Sequence, residues 1–191
     1  MLKDLLCANR SYRSFDQTVK IPIEALREFV DCARLSPSSV NLQAVKFRLV
    51  YTIEECASVL PLTRWAGKLR NVKLPPVGHE PVAYIILCTD TSVTPTADNL
   101  QKDVGICAQT VMLAATEAGF GGCMIGSFSK EELHDTLSLP SHLTPQLVLA
   151  LGKPDEAVVI TDPSEDGCLT YYRKGGVHYV PKRMLDDLII Q

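Results

Sequence analysis

The apolar positions of this chain switch between helical and strand spacing, and each change of period marks an element. Leu2, Leu5 and Leu6 share one face of a short helix over 2–8. Ile23, Leu26, Phe29, Val30 and Ala33 recur at helical spacing behind Pro22, whose missing N–H costs nothing at a helix start. Pro37 stops that helix after Leu35. Over 46–51, Phe47, Leu49 and Tyr51 alternate with Lys46, Arg48 and Val50, which predicts a strand. Thr52 and Glu55 then form a capping-box start for a short helix. The unbroken apolar run 82–89 predicts a central strand, and 121–125 and 146–151 predict two more. Between them, 97–118 predicts the longest helix, ended by Gly119. It is apolar over much of its surface, and Gly105, Ala108, Ala114, Ala115 and Ala118 leave room for another helix, so burial on more than one side is expected. Ser129 caps a further short helix. Residues 169–172 and 177–180 flank Lys174-Gly175-Gly176, a hairpin signal, and 184–190 predicts a terminal helix. Residues 61–81 carry no period; with Trp65 and Pro75-Pro76 they predict a loop on the substrate side of a site. Few βα pairs have regular length, so the pattern predicts one α+β domain over 1–191. Its sheet is mostly antiparallel and flanked by helices, in preference to a doubly wound fold.

Composition narrows the function classes. The net charge is −3 and the basic residues are scattered, which argues against nucleic acid as the partner. The seven cysteines are odd in number and form no Cys-x-x-Cys pair. They read as free thiols in a reducing, cytoplasmic setting. No run reaches the length of a membrane span, and the first residues lack the apolar core of a signal peptide, so no membrane partner is expected. The four histidines lack metal-ligand spacing, so no metal is assigned.

Two polar segments carry candidate chemistry. In Arg10-Ser11-Tyr12-Arg13, helical spacing puts both guanidinium groups on one face. Arg forks grip phosphate bidentately, and Ser11 adds a neutral donor. On spacing alone, a solvated helix face is the competing reading. In Ser36-Pro37-Ser38-Ser39-Val40-Asn41-Leu42-Gln43, Pro37, Ser38 and Ser39 shape a turn. The carboxamides of Asn41 and Gln43 suit the polar edge of a flat heterocycle, although Asn also serves as a plain turn former. A phosphate clamp plus a ring-edge reader describes a mononucleotide site. Gly121-Gly122-Cys123-Met124-Ile125-Gly126 follows a helix and enters a strand, the reverse of a dinucleotide fingerprint. Its glycines would instead let the backbone of Gly122, Cys123, Met124, Ile125 and Gly126 approach a ring. Cys123 itself reads as a small buried residue in preference to a redox thiol. No nucleophile elbow supports Ser/His/Asp chemistry.

In this order, these segments resemble the nitroreductase family of FMN-dependent enzymes, with its Arg-Ser-x-Arg-x-aromatic opening and Pro-Ser-x-x-Asn-x-Gln loop. Asp103–Gln109 running into Leu113–Gly126 looks like the family's central helix and the strand beside the flavin. Leu149–Pro154 looks like its last core strand, and Pro181–Asp187 like its basic C-terminal end. The resemblance implies an intertwined homodimer that binds FMN and takes hydride from NADH or NADPH through flavin N5. It implies delivery to nitroaromatic, quinone or similar electron-poor small molecules. It places Arg183, with Lys182 beside it, at the flavin phosphate together with Arg10, and sets Asn41 and Gln43 against the ribityl chain and pyrimidine edge. No side chain need act as acid or base, so no catalytic residue is assigned. Two departures stand out: Ala44-Val45 replaces a Pro-Trp pair, and Gly126-Ser127 replaces Glu-Gly. Two alternatives stay open. One is an FMN-binding or storage protein without turnover. The other is an offshoot performing reductive dehalogenation or flavin breakdown.

Overall fold

In the computed structural model, which describes residues 1–69, 72–94 and 100–190, the elements run α1 (Leu2–Ala8), β1 (Phe15–Asp16), α2 (Ile23–Arg34), β2 (Val45–Val50) and α3 (Ile53–Val59). They continue with β3 (Ala83–Asp90), α4 (Gln101–Glu117), β4 (Gly121–Ile125), α5 (Lys130–Thr136), β5 (Leu143–Pro154), β6 (Val158–Thr161), β7 (Tyr172–Lys174) and β8 (Val177–Pro181). Single 3₁₀ turns occupy Ser39–Asn41 and Leu60–Leu62. The expected α+β class holds.

β5 is the hub of the main sheet. It pairs antiparallel with β1, β3 and β4, and β3 pairs antiparallel with β2. Every residue of β3 is buried, because the sheet is covered on both faces. Ile85, Leu87, Leu149 and Leu151 face α2 and α4, where Leu26, Phe29, Val104, Ala108 and Val111 meet them. Tyr84, Ile86, Val148 and Ala150 face the other way, onto Cys56, Val59, Ile125 and Leu133. The period-two alternation therefore sends successive side chains into two separate cores. Each fully buried aliphatic chain contributes about 1.5–3 kcal/mol relative to exposure.

A second sheet, of order β6-β8-β7, lies after β5. The β7–β8 hairpin turns on Gly175 (φ 58°) and Gly176 (φ 80°), a pair of left-handed residues that glycine adopts without strain. Its first strand is Tyr172–Lys174, shifted from the expected 169–172. β1, with two residues, and β6, paired parallel to β8, have no counterpart in the periodicity.

Three expectations need correction or limits. No helix forms over 184–190. Only a turn is present, with Asp187 N–H donating to Met184 O at 3.2 Å and Leu188 N–H to Leu185 O at 3.0 Å. Leu185, Leu188, Ile189 and Ile190 are exposed, and a short helix without packing is marginal. The long helix is described from Gln101, and the expected start at Ala97 lies outside the described residues. Residues 70 and 71 of the 61–81 stretch lie outside them as well.

Candidate functional site

Arg10 and Arg13 do not stand on a helical turn. The chain is extended here because Ser11 bridges Gly122, and the Tyr12 N–H donates to Gly122 O at 2.9 Å. Pairing with β4 replaces the i−4 bonds, and it also carries the two arginines to the sheet. On its other side Gly122 permits the close approach of β5, since a Cβ there would strike the Ala150 carbonyl oxygen and Leu151. The glycine's open side is therefore used by the neighbouring strand.

The result is a basic cleft of about 330 Å³ lined by Asn9, Arg10, Ser11, Arg13, Gln109, Met112, Gly122, Met124, Tyr171, His178, Val180 and Lys182. Arg10 Nη2 donates to Leu6 O at 2.7 Å. Arg13 is 9% exposed, and its Nη1 donates to Ser11 O at 3.2 Å. The same nitrogen lies 3.3 Å from His178 Nε2, and the guanidinium sits 5.6 Å above the Tyr171 ring. The Arg13 backbone N–H donates to the Glu156 carboxylate, whose other oxygen pairs with Arg173. Burial lowers the His178 pKa to about 4, and the charges of Arg13 and Arg173 act in the same direction. Among the described residues no carboxylate pairs with the side chains of Arg10, Arg13 or Lys182. Arg10 Nε, Arg13 Nε and His178 Nδ1 are buried without a partner. Buried unpaired donors beside three uncompensated cations describe a receptor for an anion.

The second polar segment forms a different surface. Val40 (φ 44°), Asn41 (φ 56°) and Gln43 (φ 51°) are all left-handed, which is strained above all for β-branched Val40. The loop is pinned from below. The Ser39 N–H donates to both carboxylate oxygens of buried Asp103, at 3.0 and 3.2 Å, and the Gln43 N–H donates to Ser38 Oγ at 3.1 Å. Ser36 and Thr110 share a hydroxyl bond of 2.9 Å. Gln43 Nε2 donates to Asn41 Oδ1 at 3.1 Å, so the two carboxamides act as a unit. Ser38 and Gln43 line a second cavity of about 300 Å³ with Asp103 and Cys107, while Pro37, Ser39 and Asn41 stand exposed on its rim.

The two surfaces meet opposite sides of α4. At 3.6 residues per turn, Asp103 and Cys107 share one side, and Gln109 and Met112 lie on average about 170° away. A helix about 10 Å across separates the arginines from the carboxamides of the same chain.

The structure thus brings Arg10, Ser11, Arg13, Gly122, Met124 and Lys182 together, and it holds Pro37, Ser38, Ser39, Asn41 and Gln43 apart from them. Cys123 and Ile125 point into the α3/α5 core, and burial pushes the Cys123 thiol pKa up. Gly126 is exposed, and Arg183 does not line the cleft. None of the described residues of 61–81 lines it either. Trp65 packs on the α3/α5 core and donates to Thr63 Oγ1 at 2.8 Å. Sequence reasoning missed Gln109, Tyr171, His178, Glu156 and Asp103. For His178 a signal existed, because positions 178, 180 and 182 line the cleft at strand period. Among the described residues no helix is long and apolar enough to cross a membrane.

Comparison with known proteins converges on one family. The model of the "Nitroreductase family" matches residues 8–153. The "Oxygen-insensitive NADPH nitroreductase" of Salmonella typhimurium (strain LT2) is 28% identical over 171 residues, covering 79% of this chain and 65% of that protein. The structure of a nitroreductase family protein from Streptococcus pneumoniae TIGR4 superimposes with a TM-score of 0.73 at 20% identity, covering all of both chains. An Exiguobacterium sibiricum 255-15 protein solved in complex with FMN gives a TM-score of 0.68 at 22% identity, over 82% of this chain and 89% of that one.

Proposed function

The chain belongs to the nitroreductase family, and from that premise we propose that it is an FMN-dependent oxidoreductase working as a homodimer with two shared flavin sites. The observation that carries this reading is the basic cleft. Three cations without carboxylate partners, and donors buried without acceptors, among the described residues, fit a terminal phosphate and the oxygens of a flavin ring. The residues present therefore fit FMN. A single phosphate is also what the absence of a dinucleotide fingerprint favours.

In this reading Arg10 and Lys182 hold the phosphate, with Arg183 following in the same segment. Arg13 faces the ring or ribityl oxygens, and the β4 backbone runs alongside. Asn41 and Gln43 would read the ring edge, but α4 keeps them from the cleft of their own chain. A second copy related by a twofold axis can supply them. Two features support such an exchange. β2 is an edge strand of the main sheet, and the apolar side chains of 184–190 lie exposed among the described residues. Bound FMN would supply the N5 position through which hydride passes from NADH or NADPH to an electron-poor acceptor. For a quinone the balance is NAD(P)H, one proton and quinone giving NAD(P)⁺ and hydroquinone. This chain's side chains orient the cofactor and exclude water; none is required to move the proton. The free thiols agree with a cytoplasmic setting.

The test is an absorption spectrum of purified protein, chromatography of the extracted cofactor, and titration with NADH and NADPH without oxygen. FMN in preference to FAD, bleached by either nucleotide and reoxidised by a quinone, is the expected result. FAD, or no flavin after reconstitution, would refute the cofactor. Bound FMN that no nicotinamide bleaches would make the protein a flavin carrier.

A further inference from the structure

Arg13 is held more closely than an ordinary surface cation, and the group that holds it is a histidine. We infer that His178 is a positioning residue for Arg13: its Nε2 accepts from Nη1 and thereby turns the Nε–Nη2 edge of the guanidinium toward the ligand cleft. This deepens the flavin reading above and rests on it for the identity of the ligand. The geometry on which it stands is independent of that reading.

The guanidinium is fixed on three sides. Nη1 is shared between Ser11 O at 3.2 Å and His178 Nε2 at 3.3 Å, and Tyr171 lies beneath the plane at 5.6 Å. Tyr171 also packs against the His178 ring, with centroids 5.4 Å apart, so one aromatic supports both partners. The backbone at Arg13 is tied to Glu156, and Glu156 to Arg173 on β7. What remains of Arg13 is Nε, buried and unpartnered, and Nη2, which pairs with no carboxylate among the described residues. These two N–H groups form the fork that binds planar anions bidentately.

An Arg N–H can only donate, so Nε2 has to be the unprotonated nitrogen and the ring proton has to sit on Nδ1. The groups that face the ring enforce this. Arg13 comes from the N-terminal segment, Arg173 from β7, Tyr171 from the segment before it, and Lys182 lines the same cleft. The Cys123 thiol on β4 is kept protonated by burial. The Glu156 carboxylate, which lies between these two arginines, is engaged by Arg173 and by the Arg13 backbone. Two cations and burial therefore oppose a third positive charge, and the ring stays neutral at physiological pH. Below that range a charged ring would repel Arg13. The unfolded chain binds this proton at about pH 6.5, and the fold does not until about pH 4. Stability is therefore lost as pH falls through that window.

Two measurements on the full chain decide the matter. The first is ¹⁵N NMR of the His178 ring in flavin-free protein from pH 8 to 4.5, in wild type and in Arg13→Ala. The expected result is a single Nδ1–H tautomer with no titration above pH 5, and a titration that moves upward in Arg13→Ala. A ring that titrates near 6.5, or one indifferent to Arg13→Ala, overturns the inference. The second is FMN affinity at pH 7.5 with folding checked by circular dichroism. His178→Gln keeps an acceptor at the same reach and should stay within threefold of wild type. His178→Leu keeps volume without an acceptor and should weaken binding about tenfold. Equal affinity in both variants overturns the positioning role. If wild type binds no FMN, the cofactor reading fails, and the NMR arm alone still decides the role of His178.

Discussion

Asp103→Ala should loosen the carboxamide loop while leaving the basic cleft intact. Asp103 is 3% exposed, and its carboxylate accepts the Ser39 N–H at 3.0 and 3.2 Å. One donor shared by two oxygens counts as one charge-assisted bond, worth about 1.5–3 kcal/mol. The carboxylate also stands in the first turn of α4, where the helix dipole adds about 0.3–1 kcal/mol. Against this, the loop carries three left-handed residues, each strained by an amount on the order of 1–3 kcal/mol and least for Asn41. Release of that strain offsets part of the loss. We expect a net destabilisation of about 1–2 kcal/mol, and a ten- to hundredfold fall in amide-exchange protection at Ser39. FMN affinity should fall about tenfold, while inorganic phosphate binds the basic cleft as in wild type. Val40→Gly isolates the strain. The Val40 side chain is 87% exposed, so nothing packed is lost, and relief at φ 44° should cancel the usual glycine penalty of about 0.5–1 kcal/mol. Hydrogen exchange, urea unfolding and calorimetric titration with phosphate and with FMN are the assays. Unchanged Ser39 protection in Asp103→Ala, or an equal loss of phosphate and flavin affinity, would refute the assignment of Asp103 to the loop.

Gly122→Ala should destabilise by about 1–3 kcal/mol in urea unfolding, because the new methyl meets the backbone of Ala150, which cannot move without breaking the β4–β5 ladder. Gly126→Ala, with nothing within 4 Å of the added atom, should be neutral; equal costs would place the constraint elsewhere. Alkylation at pH 8 should mark Cys168 first, since it is exposed and hydrogen bonds from Thr170 lower its pKa. Cys56 and Cys88, raised to about 11 and about 12 by burial, should stay protonated and unlabelled until the protein unfolds, as should Cys123; rapid labelling of Cys123 by mass spectrometry would contradict its place in the core.

The parts of this fold that were legible in the sequence are those whose reasons are local. Pro22 and Pro37 bracket α2, the apolar run marks β3, and Gly175-Gly176 marks the hairpin; each depends on residues within a few positions. The parts that were not legible depend on distant partners. β1 has two residues and exists only because β5 extends past β3 to receive it. The 184–190 segment has helical spacing, but its apolar side chains stay exposed and pack on none of the described residues closely enough to be buried. Arg10 and Arg13 line one basic cleft, although the helical premise for them was wrong. A pairing between Ser11 and Gly122, over a hundred residues apart, decided their conformation. Glu156 gave no signal, because its importance lies in a contact with the Arg13 backbone that no spacing encodes. His178 was dismissed for lacking metal-ligand spacing, yet the strand period that placed Val180 and Lys182 beside it was readable.

The position of α4 has a consequence that mixed dimers can expose. If the clamp and the carboxamide loop of one chain served the same flavin, each defect would damage only the site of its own chain. With α4 between them, the proposed dimer would give each flavin its clamp from one chain and its loop from the other. A chain carrying Arg10→Ala and Arg13→Ala, paired with a chain carrying Asn41→Ala and Gln43→Ala, then holds one site with both defects and one site with neither. Neither homodimer should bind FMN tightly, since each site loses charge-assisted or amide contacts worth roughly tenfold or more in affinity. The heterodimer, isolated by two different affinity tags, should recover one FMN per dimer at wild-type affinity and half the wild-type turnover per dimer. Recovery of a wild-type site from two defective chains has no explanation within a single chain. A heterodimer whose two sites are both weak would mean that the loop reaches around α4 to its own cleft, and that the two halves of the site belong to one protomer.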